Sequence, residues 1–346
     1  MQRIAIIKPS ALGDIVHALP VLGVLRRKWP TAHLTWIVNK SFEPLIANHK
    51  HLNATLAFDR NVFKGNPAKS LQYSWQFANH LRQQRFDLVI DLQGLLRTGL
   101  MTVATGAPVK VGFANAREGA ARFYTHHVEV PDTESIHAVD RYLRVTDYLG
   151  CERSPMHFDV PVSLQERDSV QHELAALPRP WITVAVGAKW TTKRWPPLHF
   201  SHLLKQGQDA FGGTVLFTGT VEDTADSQIA AQSLTGPYRD FTGKTSLPRL
   251  TALFASSDLM IGNDTGPLHL AAALGLPCVA PYTCTKVVKH GPYGQDGGVE
   301  TSVACGGSYL KNCPNGLACF AELTPDRLWP TLQGVLQSWA TRYRSA

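Results

Sequence analysis

The stretch that decides the fold is IGNDTGPLHLAAALGLP, residues 261–277. The apolar residues Leu259, Met260 and Ile261 read as the end of a buried strand. Gly262 and an Asn-Asp-Thr-Gly turn follow, and Pro267 opens an apolar helix. Strand, turn and helix N-terminus in that order favour an anion, because free backbone N–H groups and the positive end of the helix dipole converge there. In open α/β sheets ligands sit outside the carboxyl ends of the strands. The segment therefore predicts a phosphate-bearing ligand.

The rest of the chain repeats the same grammar. Strands are predicted at 3–8, 33–38, 86–92 and 109–113, with helices at 14–28 and 70–84 between them. In the first helix Ile15, Leu19, Leu22, Val24 and Leu25 form the apolar face. Such alternation implies βαβ units and parallel sheets. The pattern breaks around Pro155–Pro161 and restarts. A helix at 163–176 precedes strands at 181–186, 214–218 and 259–262, with helices at 198–210, 224–233 and 247–256. The expected class is α/β. One Rossmann-like domain covers 1–165 and a second covers 166–324. A final helix in 325–346 is expected to cross back to the first. Two such halves with a cleft between them suit an enzyme that holds a nucleotide in one half and an acceptor in the other.

Composition bounds the function. The 346 residues are 44% apolar and 18% charged, which is globular rather than disordered. No apolar stretch approaches the roughly 20 residues needed to span a bilayer. The start, MQRIAIIKPS, lacks the long apolar region of a leader peptide, so a cytoplasmic location is expected. A net charge of +7 suits an anionic partner. Without a basic tract or zinc-finger spacing, nucleic acid is not expected. Of six cysteines, Cys305, Cys313 and Cys319 cluster near the C-terminus. The absence of a tight C-x2-C pair favours a small loop of buried or free thiols over a zinc site.

Three further segments carry chemistry. In KPSALGDIVHALP, residues 8–20, a strand ends at Lys8, a tight loop runs from Ser10, and Asp14 opens a helix. From position alone Asp14 reads first as a helix-opening residue; it also reads as a carboxylate at a strand's carboxyl end, able to take a proton from an acceptor hydroxyl. Lys8 either neutralises charge on the acceptor or simply ends the strand. In VGAKWTTKRWP, residues 186–196, Thr191, Thr192 and Lys193 follow a buried strand, where hydroxyl and ammonium donors can wrap a diphosphate. The plain alternative is a solvated basic loop. In FTGTVED, residues 217–223, Glu222 suits a ribose hydroxyl pair or the acidic first turn of a helix. In the deciding stretch, Asp264 can accept from sugar hydroxyls, and Thr265 and Gly266 can offer N–H groups. His269, five residues past Asp264, reads as a site residue or as structural.

Taken in order, KPSALGDIVHALPVL, FDLVIDLQGLLRTGL, HAVDRYLRVTDYLG, GAKWTTKRWP and GNDTGPLHLAAALGLP resemble the ADP-heptose:lipopolysaccharide heptosyltransferases, glycosyltransferase family 9, of the GT-B fold. The resemblance covers nearly the whole chain. GFANAREGAARFY, residues 112–124, is most similar to the first of these enzymes in the inner core.

The resemblance implies inverting transfer of heptose from ADP-L-glycero-β-D-manno-heptose to a Kdo-containing lipid A acceptor, with no cofactor and no catalytic metal. It implies Asp14 as general base and Lys193 on the donor phosphates. Thr191, Thr192, Glu222, Asp264, Thr265, Gly266 and His269 then line the donor site. Kdo carries carboxylates, which arginine recognises through paired hydrogen bonds. Arg117, Arg141, Arg60 and Lys64, with Lys8 and Ser10, are the acceptor-side candidates, although each arginine and Lys64 reads equally as a surface charge. Peripheral contact with the cytoplasmic face of an anionic inner membrane is expected. The cysteine block departs from the best-known first heptosyltransferases, which leaves the core position open. A nucleotide-sugar 2-epimerase and a non-catalytic nucleotide-sugar-binding protein are the competing readings.

Overall fold

The computed structural model describes residues 1–344 and divides into two compact units, Met1–Pro161 and the residues from Val162 onward. In the first unit the elements are β1 (Arg3–Ile7), α1 (Leu12–Lys28), β2 (His33–Asn39), α2 (Glu43–Ile46) and β3 (Ala54–Phe58). They continue with α3 (Pro67–Gln83), β4 (Leu88–Asp91), α4 (Leu96–Ala104), β5 (Val109–Phe113), β6 (His126–Val128) and α5 (Ala138–Tyr148). The six strands are parallel in the order β3-β2-β1-β4-β5-β6. That is the doubly wound order, and its direction reverses between β1 and β4.

Burial explains the helices. Every residue of α1 from Ile15 to Leu25 is buried, so this helix is covered on all sides. Amphipathic α3 buries only Leu81 fully, and it starts where Asn66 accepts a hydrogen bond from the Ala68 N–H and Pro67 takes the first turn. Ala5, Ile7, Ile37, Leu81, Phe86 and Val89 pack together under the sheet.

The second unit begins with α6 (Leu164–Leu174), β7 (Trp181–Ala185), α7 (Pro197–Phe211), β8 (Thr214–Phe217), α8 (Thr224–Ala231), β9 (Tyr238–Asp240) and α9 (Leu247–Ser256). It ends with β10 (Leu259–Gly262), α10 (Gly266–Ala273), β11 (Cys278–Tyr282), α11 (Val287–His290), β12 (Gly298–Glu300), α12 (Ala318–Glu322) and α13 (Pro325–Arg344). Its strands are also parallel, in the order β12-β11-β10-β7-β8-β9, with the reversal between β7 and β10.

The units part between residues 161 and 162. Leu328, Leu332 and Leu336 of α13 are fully buried in one core with Ile182, Phe200 and Phe217, because they fall on one face at helical spacing. Among the described residues, no helix is long and apolar enough to cross a membrane.

Candidate functional site

The first unit gathers charge at its reversal point. Ile7 of β1 pairs with Asp91 of β4, so the loops leaving both strands start side by side. Lys8 follows directly and is buried, while Asp14 is the third residue of α1. Asp14 Oδ2 accepts from the Ala11 N–H at 3.1 Å, closing the first turn. Its Oδ1 accepts from the Tyr142 hydroxyl at 3.0 Å and lies 3.6 Å from Lys8 Nζ. The helix-opening role and the open carboxylate therefore coexist, since 45% of the Asp14 side chain remains exposed.

The surroundings are polarised. Burial holds the Lys8 ammonium below its ordinary pKa, against the opposing charges of Asp14 and Asp91. Arg141, half-buried, lies 4.1 Å over the Phe113 ring and donates to Asn115 Oδ1 at 3.1 Å. Burial lowers its pKa, Arg117 adds to that lowering, and Tyr142 and Asp14 oppose it. Ser10 sits half-buried in the loop and Arg117 is exposed, its backbone N–H donating to the Gly94 carbonyl at 2.9 Å. Arg60 and Lys64 lie instead in a turn after β3, lining a separate apolar cavity.

Asp91, Tyr124 and Tyr142 were not singled out from the sequence. Asp91 is fully buried and accepts from the N–H groups of Gln93 (2.8 Å) and Gly94 (3.1 Å) and from the Tyr124 hydroxyl (2.8 Å). Burial nevertheless raises its carboxyl pKa. Gly112 admits the Tyr124 ring, since a Cβ there would lie 2.3 Å from it. The available signal was position: Asp91 ends a buried strand, and Lys8 directly follows one.

The second unit gathers its charge at its own reversal. Ala185 of β7 pairs with Gly262 of β10. Just beyond, the buried Asn263 side chain donates to the Val186 carbonyl at 2.7 Å and accepts from the Trp195 N–H at 3.2 Å, tying the two loops. Lys193 Nζ donates to Asp264 Oδ2 at 2.6 Å and to its carbonyl at 3.2 Å. The same Oδ2 accepts from the Thr285 hydroxyl at 2.6 Å, and Oδ1 lies 3.1 Å from His269 Nε2. Burial alone would raise the Asp264 pKa, but the His269 hydrogen bond and the charges of Lys193, His269 and His290 hold it well below the usual range. Thr265 caps α10 with extended backbone, and Gly266 is its first helical residue.

Other expected donor residues are placed differently. The Thr191 hydroxyl donates to the Lys311 carbonyl at 3.1 Å and that of Thr192 to Leu310 at 2.7 Å, so both bind backbone rather than standing open. Glu222 is exposed in the turn after β8. Its neighbour Asp223 is buried and accepts from Arg194 Nη2 at 2.8 Å. Asp264 likewise engages both carboxylate oxygens inside the protein. Cys284, Cys305, Cys313 and Cys319 line a small cavity beside Thr192, all as free thiols. Among the described residues no set of three histidine, cysteine or acidic side chains is arranged to hold a metal.

The model of Glycosyltransferase family 9 (heptosyltransferase) matches residues 74–311. Lipopolysaccharide heptosyltransferase 1 of Pseudomonas aeruginosa is 26% identical over 358 residues, covering 97% of this chain and 98% of that protein. A glycosyl transferase family 9 structure from Veillonella parvula superposes with a TM-score of 0.84 at 22% identity, over 97% of this chain and 98% of that one. The E. coli heptosyltransferase WaaC with ADP gives a TM-score of 0.77 at 22% identity, over 96% and 100%. These structures share the α/β GT-B fold.

Proposed function

The chain belongs to glycosyltransferase family 9, the heptosyltransferase family, and from that premise and the two reversal-point clusters we propose that it transfers heptose from ADP-heptose to a Kdo-bearing acceptor of the lipopolysaccharide inner core. The observation that carries the proposal is the Asp14 carboxylate. It stands at a strand-to-helix turn, half exposed, with Tyr142 and Lys8 fixing one oxygen.

In this reading Asp14 takes the proton of the acceptor hydroxyl as that oxygen attacks the anomeric carbon. The bond to the ADP oxygen breaks from the opposite face, so configuration inverts. Charge on the departing diphosphate is met by Lys193 and by the N-terminus of α10 at Thr265 and Gly266. Asp264 holds Lys193 in place through its 2.6 Å contact. Arg141 and Arg117 supply the cations for Kdo carboxylates. The acceptor is a membrane lipid, so the chain works at an anionic surface, a role its +7 charge suits.

The test is incubation with ADP-heptose and Kdo2-lipid A in EDTA, read by mass spectrometry. One added heptose supports donor, acceptor and metal-free transfer together. Bound donor without product would overturn the acceptor, and absence of both would overturn the donor.

A further inference from the structure

Between the turn Arg60–Lys64 and helices α3 and α4 lies a cavity of about 660 Å3. Its wall is apolar. Phe58 of β3, Tyr73 and Phe77 of α3 and Met101 of α4 line it, and the Tyr73 and Phe77 rings stack with centroids 6.2 Å apart. Small-molecule sites have this size and this lining, with a few polar groups that fix orientation. Here those groups are Arg60, Lys64 and Arg97, and among the described residues none of the three is in an ion pair.

An apolar chamber bordered by unpaired cations selects an amphiphile. The chain lies against the rings and the anionic group meets the guanidinium and ammonium heads. On α3, Leu71 is 74% exposed and Trp75 66% exposed, one turn apart. Exposed Trp and Leu beside basic residues suit the boundary between headgroups and acyl chains.

We propose that this cavity takes one acyl chain of the anionic glycolipid acceptor, with its phosphate or carboxylate held by Arg60, Lys64 and Arg97. The proposal rests on the lipid-acceptor reading above and adds where the lipid part is recognised.

The test has a binding arm and a kinetic arm on the whole chain. In the first, hexadecyl phosphate and butyl phosphate are titrated calorimetrically. The long chain is expected to bind and the short one not to. Ala78→Trp, which fills the cavity from α3, and Arg97→Glu, on an exposed residue, should each weaken binding by about tenfold or more. In the second, KM is compared for acylated and deacylated acceptor. The wild-type preference for the acylated form should collapse towards unity in Ala78→Trp. Hexadecyl phosphate binding unchanged in both variants overturns the proposal. Vesicle adsorption without binding of monomeric hexadecyl phosphate also overturns it, in favour of a flat membrane contact. Variant-sensitive binding with neither acceptor heptosylated supports the cavity and places the failure in the transfer reading.

Discussion

The Tyr142 hydroxyl donates to Asp14 Oδ1 over 3.0 Å, although the two residues stand 128 positions apart. Burial, reinforced by the Asp14 charge, pushes the Tyr142 pKa well above its ordinary value, so the hydroxyl keeps its proton. It is a fixed donor that orients the carboxylate while the other oxygen closes the helix turn.

Asp14→Asn should therefore lower kcat by roughly 10²–10⁴-fold, the range for loss of a general base. Affinity for ADP, which we propose binds in the second unit, should not change. Tyr142→Phe should lower kcat by about tenfold, because the base stays but its aim loosens. Steady-state kinetics and ADP titration check both, and equal losses in the two variants would contradict the assigned roles.

Lys193→Met should weaken ADP binding by about tenfold or more and lower the melting temperature, because buried Asp264 loses its cation. In the double variant with Asp264→Asn the melting temperature should recover while ADP affinity stays low. Recovery of both would mean that Lys193 serves only structure.

Asp264 also predicts an acid limit. Its folded pKa is depressed from 3.8. The stability it contributes is fully present above that unfolded value and is lost as pH falls towards the folded one. Urea unfolding of wild type and Asp264→Asn between about pH 5 and pH 3 should show the wild type losing stability more steeply.

Asp91→Ala strips acceptors from two backbone N–H groups and the Tyr124 hydroxyl. We expect a loss of about 2–4 kcal/mol in chemical denaturation. Asp91→Asn should cost less, since its amide oxygen can still accept from Gln93 and Gly94.

Gly187→Ala places a Cβ 2.1 Å from Asp223 Cγ. Asp223 must move, and with it Arg194, which anchors the loop carrying Lys193. ADP affinity should fall by about tenfold while α1 and its cluster keep their properties. An unchanged calorimetric titration would show that this loop does not depend on Asp223.

The central strands were legible because a strand buried on both faces of a parallel sheet is a run of apolar residues. The strands Val109–Phe113 and Leu259–Gly262, and the helix Leu247–Ser256, fall at the expected limits. The edge strands His126–Val128, Tyr238–Asp240 and Gly298–Glu300 were missed. Each is three residues long and polar or glycine-bearing, so its strand character comes from pairing with a neighbour. The Cys278–Tyr282 strand was hidden by Pro281. Lys8, Asp14 and Asp264 were legible as residues at strand ends and helix starts, and Lys193 as a basic residue in the loop after β7. Their partners were not. Tyr142 reaches Asp14, and the 310–311 backbone takes the Thr191 and Thr192 hydroxyls, through contacts more than a hundred residues apart in sequence.

The strand orders β3-β2-β1-β4-β5-β6 and β12-β11-β10-β7-β8-β9 have one further consequence. In each sheet the earliest strand in the chain is central. The next two add outward on one flank, and the following three add outward on the other. No strand has to be wedged between two that are already paired. Each sheet can thus grow in the direction of synthesis, and the six strands of the first unit are complete by Val128, before β7 has left the ribosome. Unpaired edges of a slow-forming parallel sheet are then covered in turn by the next strand made, which shortens the time they stand open to other chains.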